Sequence, residues 1–473
     1  MGSSANNLAG LVLALADESQ PDWVALEHHG QRVGIRRLAR LMCSAAGALS
    51  GDGVVAICEP DPIGHTVAVL GALAAGRPAL LLDARQPDGL LTEVLARAQA
   101  RSCVGRELAD VQYLSFDQLL APSPVSPVPL DPMATGSIFM TSGSTGAAKL
   151  VVRSAGADLN AAMCLALARF PIGPGDRHWL AVPHSSAAFL TLVMGSLLLR
   201  ATVVFAPFAR EEVDRTLVEH AISSVYLVPT MLRLARERDG LRGRGWDRLR
   251  ALATGGERLD DQTAATLLEL FPERVFCAYG MTECPRVCEA SFEEIAARPG
   301  TVGRPIALRQ VKIAAPDGGG EIDQGADGEV LVRGPDMFSG YLGEPPVGDW
   351  YATGDLGHID GDGYLYITGR ASSLVNVGAN RVSTEEVAAV LREHPDIAQG
   401  AVIALEDSLW TNRLEAFAVT RAGCELSESD LRAWLAERLA HYKLPRNITF
   451  LEQMPIDHSG KLSLRTLQEV ASR

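Results

Sequence analysis

The chain has 473 residues, 47% hydrophobic and 21% charged, with a formal net charge of −14. That length allows a large buried core and about three structural units, so folding needs no disulfide or metal staple. The acidity argues against a generic nucleic-acid or anionic-membrane surface, while leaving room for a local basic phosphate site.

Residues 1–7 show no basic segment followed by an apolar one, so they read as a frayed terminus rather than a signal peptide. A short buried strand is expected at 54–58, a helix over 66–75 and a second strand at 79–82. Residues 121–129, with Pro122, Pro124, Pro127 and Pro129, read as a surface loop. The longest apolar run, 187–199, is interrupted by Thr191, Gly195 and Ser196. It is too short for a bilayer, which needs about 20 apolar residues. Further strands are expected at 203–206, at 224–228 before Pro229, at 251–253 before Gly255 and Gly256, and at 275–279 before Gly280. Short apolar strands joined by helices predict α/β layers with mostly parallel sheets. Ligands of such sheets sit at the carboxyl ends of the strands.

From about residue 311 the glycine-rich turns at 318–320, 325–328 and 360–363 alternate with strands at 329–332 and 364–367, which predicts a small β-rich subdomain within 300–370. Beyond it, Thr384 is placed to cap a helix through Leu391, and strands are expected at 401–404, 415–419 and 448–451. Ser427 with Asp430 caps a helix whose Leu431, Trp434, Leu435 and Leu439 share one face. The expected fold class is therefore α/β. A large N-terminal domain, 1–370, has mostly parallel sheets and the β-rich subdomain, and a small mobile α+β domain spans 371–473. The eight cysteines have no common metal-binding spacing and read as buried thiols in a reducing compartment, the cytoplasm.

The stretch from Met140 to Lys149 carries the clearest chemistry. Four hydroxyls, two glycines and a lysine fall within Thr141, Ser142, Gly143, Ser144, Thr145, Gly146 and Lys149. Glycines let the backbone approach a phosphate and present its N–H groups, hydroxyls donate further hydrogen bonds, and the lysine adds charge. The spacing is not that of a Walker A loop, which needs the lysine directly after the second glycine and a Ser or Thr after it. Both flanks are β-like, so a strand–loop–strand unit is expected. The alternative is a flexible hairpin turn, in which such a combination is unusual.

That stretch resembles the phosphate loop of the adenylate-forming superfamily, which includes acyl- and aryl-CoA synthetases, adenylation domains and luciferases. Further matches follow in the family's order: Tyr279-Gly280-Met281-Thr282-Glu283, then Gly328-Glu329 with Arg333-Gly334-Pro335 and Gly340-Tyr341, then Tyr351 to Asp355 with Gly369-Arg370, and finally Tyr442 to Arg446 and Ser459-Gly460-Lys461. The resemblance implies activation of a carboxylic acid by ATP with release of pyrophosphate. Ser142, Ser144, Thr145 and Lys149 would hold the β- and γ-phosphates, and Thr282 would touch the α-phosphate. Glu283 would hold Mg2+, Asp355 and Arg370 the ribose, and Lys461 the transferring oxygens. Gly255, Glu257, Tyr279, Gly280 and Met281 go with the nucleotide. His184 would gate an acid pocket lined by Gly255, Gly256, Ala278 and Cys284. Amino-acid-activating relatives place an aspartate just after His184; here stand Ser185, Ser186, Ala187 and Ala188. An unpaired buried ammonium is costly, so an α-amino acid is disfavoured.

Several positions depart from the family pattern. Ala148 replaces the usual proline, Leu150 a glycine, Ser373 the usual hinge aspartate or lysine, Asn376 a lysine and Ala379 a glycine. The last three bear on the thioester step. The expected protein is an AMP-forming ligase of aryl or acyl acids. Its acceptor is coenzyme A or the phosphopantetheine of an acyl carrier protein, and it has no nucleic-acid or membrane partner. The alternatives are an enzyme that spends its adenylate without a thioester, and a non-catalytic binding protein of the same fold.

Overall fold

The computed structural model describes residues 6–18, 22–141, 148–257, 259, 261–315, 322, 325–377, 380–407, 411–421, 423–455 and 462–471. They divide into Met1–Val311 with Val332–Tyr351, and Lys312–Leu331 with Ala352–Arg473. Segment 352–370 thus groups with the C-terminal residues, whereas the sequence pattern put it in the N-terminal domain. Chain order does not decide this division; segment 312–331 and the strands after Ala352 pair with one another, as where Thr353 Oγ1 donates to Val330 O at 2.9 Å.

In the first unit, the strands Val24–His28, Thr202–Phe205, Arg177–Leu180, Ser224–Tyr226, Ala251–Gly255 and Val275–Met281 lie side by side and parallel. Cys284–Ser291 and Thr301–Pro305 then add antiparallel. A second sheet places Thr135–Thr141, Ala79–Leu81, Val54–Ile57, Ala100–Val104 and Gln112–Leu114 in parallel. Lys149–Ser154 returns antiparallel beside Thr135–Thr141, and Gly340–Tyr341 pairs along its far side. The parallel strands are short and apolar because helices cover both faces, leaving no polar side to alternate with.

Helices Leu8–Glu18, Ile35–Ala48, Pro62–Ala74 and Ala187–Leu198 fill the space between the sheets, in a core that includes Leu26, Leu38, Ile57, Val69, Phe189 and Val203. The helix expected at 66–75 starts earlier, at Pro62, because Asp61 Oδ1 accepts from Gly64 N at 2.7 Å and caps it. The long apolar run is the buried helix Ala187–Leu198, capped by Ser186, whose Oγ accepts from Phe189 N at 3.1 Å. No described helix is long and apolar enough to cross a membrane. All eight cysteines are free thiols, and only Cys43 and Cys424 are partly exposed.

The second unit contains all of strand Tyr351–Ile359 but its first residue, paired antiparallel with Leu365–Arg370, then a sheet of Leu374–Val377, Asn380–Ser383, Ile397–Asp407, Thr411–Thr420 and Asn447–Phe450. Helices Thr384–Arg392 and Glu428–Ala436 bury Val387, Leu391, Leu431 and Leu435 against that sheet. The cap of the first is Ser383, one residue before the expected Thr384: its Oγ accepts from Glu386 N at 3.2 Å. Ser427 caps the second as expected.

The buried His65 and His178 and the partly buried His184 should make the fold acid-sensitive. Burial, the largest effect at each, lowers His65 to about 3 and His178 and His184 to about 4. In the unfolded chain such groups titrate near their ordinary value of 6.5. As pH falls, the unfolded chain takes up these protons first. The stability they contribute is complete above pH about 6.5 and is lost towards pH about 4. The urea midpoint should therefore fall over that window, and glutamine at His65 and His178 should flatten the fall. An unchanged slope in that double variant would assign the acid sensitivity to other groups.

Candidate functional site

The loop-bearing hairpin forms as the strand–loop–strand pattern predicts: Thr141, at the end of one strand, pairs with Lys149 at the start of the next. Ser142, Gly143, Ser144, Thr145 and Gly146 lie outside the described residues. Lys149 Nζ stands 4.5 Å from the centroid of the Tyr341 ring. This is a cation–π contact made possible by the pairing of Tyr341 with Val151.

A second hairpin joins Val275–Met281 to Cys284–Ser291. Met281 pairs directly with Cys284, so Thr282 and Glu283 are the two residues of the turn. The turn follows the carboxyl end of a parallel strand, where α/β sheets bind ligands. Gly280 is required by close approach: a Cβ there would fall onto the Pro285 carbonyl oxygen. Among the described residues, three donors hold the turn. Arg153 Nη1 donates to Thr282 O at 3.4 Å, and Phe338 N donates to Glu283 O at 2.8 Å. Tyr341 Oη donates to Glu283 Oε1 at 2.7 Å and lies 3.0 Å from Tyr351 Oη. Burial first, then Tyr351 and Glu283, push the Tyr341 phenol well above its ordinary range, so it stays a neutral donor.

Arg153 ties the two hairpins together. It sits in the strand after the phosphate loop, fully buried, with Nε donating to Asp158 Oδ1 at 2.8 Å and Nη2 to Ala157 O at 3.1 Å. Ser137 Oγ donates to the same Asp158 oxygen at 2.8 Å. The sequence reading missed Arg153, Asp158 and the hydroxyl of Tyr341. An arginine inside an apolar strand was the available signal, since a buried arginine demands a partner.

Gly255 and Gly256 end the neighbouring strand, and Gly256 has φ +86°. Beside them Tyr226 Oη lies 3.3 Å from where a Cβ on Gly255 would be. Glu257 Oε2 accepts from Thr230 N at 3.2 Å and Thr230 Oγ1 at 2.7 Å, at the start of helix Pro229–Asp239. A carboxylate is favoured there by the helix dipole. His184 packs its ring 5.2 Å from Phe189 and 5.8 Å from His65, centroid to centroid, and burial keeps it neutral. Ser186, one of the residues following His184, is committed to capping. Cys284, expected to line the pocket, does not: it is fully buried with Sγ 3.7 Å from Asp336 Oδ1, behind the turn.

In the second unit, register pairs Asp355 with Arg370, and Arg370 Nε donates to Asp355 Oδ1 at 2.8 Å. Asp355 is buried and Arg370 exposed. Ser373 Oγ donates to Arg370 O at 2.7 Å and accepts from Arg370 N at 3.3 Å, closing the turn Ala371–Ser373. Lys461 and Ala379 lie outside the described residues.

Comparison with known proteins places the chain in a family. Residues 386–461 match the AMP-binding enzyme C-terminal domain. The 2-succinylbenzoate–CoA ligase of Bacillus licheniformis is 32% identical over 350 residues, 72% of this chain and 70% of that protein. The uncharacterized acyl-CoA ligase YhfT of Bacillus subtilis is 27% identical over 464 residues, 94% of this chain and 95% of that protein. The structure of the o-succinylbenzoate CoA synthetase MenE of Bacillus subtilis, in complex with its acyl-adenylate intermediate, superposes with a TM-score of 0.86. It is 26% identical, and the match covers 97% of each chain. The AMP-binding enzyme profile matches residues 13–342, a span that takes in both hairpins and the segment bracing them, and the chain belongs to that family.

Proposed function

We propose that the protein activates an aryl or acyl carboxylic acid with ATP, forming an acyl-adenylate and pyrophosphate. It then passes the acyl group to the thiol of coenzyme A or of a carrier protein's pantetheine. The observation that carries this reading is the tie between the loop-bearing hairpin and the Thr282–Glu283 turn through Arg153. Adenylation brings a carboxylate against a phosphate, so neutralising charge and fixing geometry are the main tasks.

Lys149 with Thr141, Ser142, Ser144 and Thr145 neutralises and orients the β- and γ-phosphates, and Gly143 and Gly146 allow the backbone to approach them. Thr282 donates to the α-phosphate. Glu283 suits Mg2+, a hard cation that takes one or two carboxylates besides phosphate oxygens and water. Tyr341 donates to its Oε1 and so orients the carboxylate that would ligate the ion. The bound ion would offset phosphate charge. Gly255, Glu257, Tyr279, Gly280 and Met281 flank the nucleotide. Asp355, aligned by Arg370, accepts from the ribose hydroxyls. His184, neutral at physiological pH, borders the acid without adding charge. Lys461 supplies the cation at the transferring oxygens.

Pyrophosphate exchange with a panel of acids tests the substrate class. Neutral-tailed aryl and acyl acids should outcompete α-amino acids, because Ser185 to Ala188 offers no carboxylate and Glu257 is already engaged by Thr230. A preferred α-amino acid would refute this.

Lys461→Ala should slow adenylate formation by about 100-fold, the scale of one lost preorganised donor. A presynthesised adenylate should still react with the thiol at close to the wild-type rate. Equal loss in both half-reactions would refute this assignment of Lys461 to adenylation.

The hinge for the second step is assigned to Ala371–Ser373, an element boundary of the kind that absorbs φ/ψ changes. Proline at Ser373 fixes φ and removes the hydroxyl that bonds to Arg370. One half-reaction should fall far more than the other in a folded Ser373→Pro protein. Wild-type rates in both would place the hinge elsewhere.

A further inference from the structure

Behind the Thr282–Glu283 turn lies an ion pair that the adenylation chemistry does not touch. Arg309 and Asp336 are in contact, and each side chain is 0% exposed. Arg309 Nε donates to Arg286 O at 2.9 Å, and Nη2 lies 3.5 Å from Cys164 Sγ. Asp336 Oδ1 accepts from Cys284 Sγ at 3.7 Å. Cys284 directly follows Glu283, and Arg286 lies two residues further along the same strand. The pair therefore grips the strand that leaves the turn.

Asp336 also begins the segment that braces the turn from outside. Phe338 N donates to Glu283 O, and Tyr341 Oη donates to Glu283 Oε1. Asp336, Phe338 and Tyr341 thus meet Cys284, the Glu283 backbone and the Glu283 carboxylate in turn. Where Asp336 is held decides where the other two arrive. Burial raises the Asp336 carboxyl pKa, while Arg309 and then Arg153 act against that rise. Arg153 is the same side chain that donates to Thr282 O.

The backbone is shaped to admit Arg309. Leu308, 66% exposed, has φ +68°, in the left-handed region that leucine rarely adopts. Gly334 leaves room on the other side: a Cβ there would lie 2.8 Å from Arg309 Cδ. A buried ion pair is poor value for stability, because desolvation roughly cancels the attraction and an apolar pair of similar volume does as well. What an apolar pair lacks is directed contact with the Arg286 carbonyl and with Cys284. We propose that Arg309 and Asp336 are positioning residues that set the Thr282–Glu283 turn for adenylation. The proposal rests on the roles assigned above to Thr282 and Glu283.

The test replaces both charges at once, in Arg309→Met/Asp336→Leu, so that neither is left unpaired. Thermal unfolding should stay at or above wild type. In pyrophosphate exchange kcat should fall on the order of 10- to 100-fold, the scale of a small misplacement of reacting groups. The Mg2+ concentration for half-maximal rate should rise, and KM for the acid should stay near wild type. A stable double variant with wild-type kcat and Mg2+ dependence would overturn the proposal. Asp336→Asn, which keeps the shape, is the second variant. Folded Asp336→Asn protein should show the same Mg2+ shift, and wild-type behaviour in it would equally overturn the proposal. Glu283→Gln separates the two readings: if it leaves Mg2+ dependence unchanged, the role given to Glu283 fails, whatever Arg309 does.

Discussion

The hydrogen bonds onto the Thr282–Glu283 turn are the constraint on which the site depends. A two-residue turn at a sheet end has no core of its own to keep it still. Here both of its carbonyls and one carboxylate oxygen are held by Arg153, Phe338 and Tyr341. Away from bulk water such contacts are stronger than in solvent, and an unmade one costs more. A site that must oppose two anions gains from donors that need no reorganisation when charge moves.

Close backbone approach serves the same end. Gly280 lets its strand lie against the Pro285 carbonyl, and Gly334 lets the bracing segment pass over Arg309. Either side chain added would push apart the elements that hold Glu283. The surroundings of His184 are built differently. His184, Phe189 and His65 pack ring against ring, and burial keeps both histidines uncharged. Desolvation thus produces a neutral cluster of rings there, while charged and hydrogen-bonded groups hold the Thr282–Glu283 turn.

Much of this was legible from local pattern. Strands near 54–58, 251–253 and 275–279 formed close to where short apolar runs placed them, because a strand buried on both faces needs little beyond such a run. The strand–loop–strand setting of Lys149 and the facing of Asp355 by Arg370 also agreed with the motifs. Boundaries were less legible. Ser383 displaced Thr384 as a cap, since two adjacent hydroxyls compete and backbone geometry chooses. Cys284 was read into the pocket, because spacing alone does not say which face of a strand meets the cavity.

The sequence by itself determined the inventory: a glycine- and hydroxyl-rich loop ending in Lys149, the Thr282–Glu283 pair, Asp355 with Arg370, and the absence of a carboxylate after His184. These are composition at short spacing, which acts over a few residues. Only the tertiary structure decided that Arg153 would hold Thr282 across 129 positions, that Tyr341 would hold Glu283 across 58, and that Arg309 and Asp336 would be sealed behind them. Burial of a charge depends on what packs over it, and no local propensity encodes a neighbour that arrives only when the layers stack.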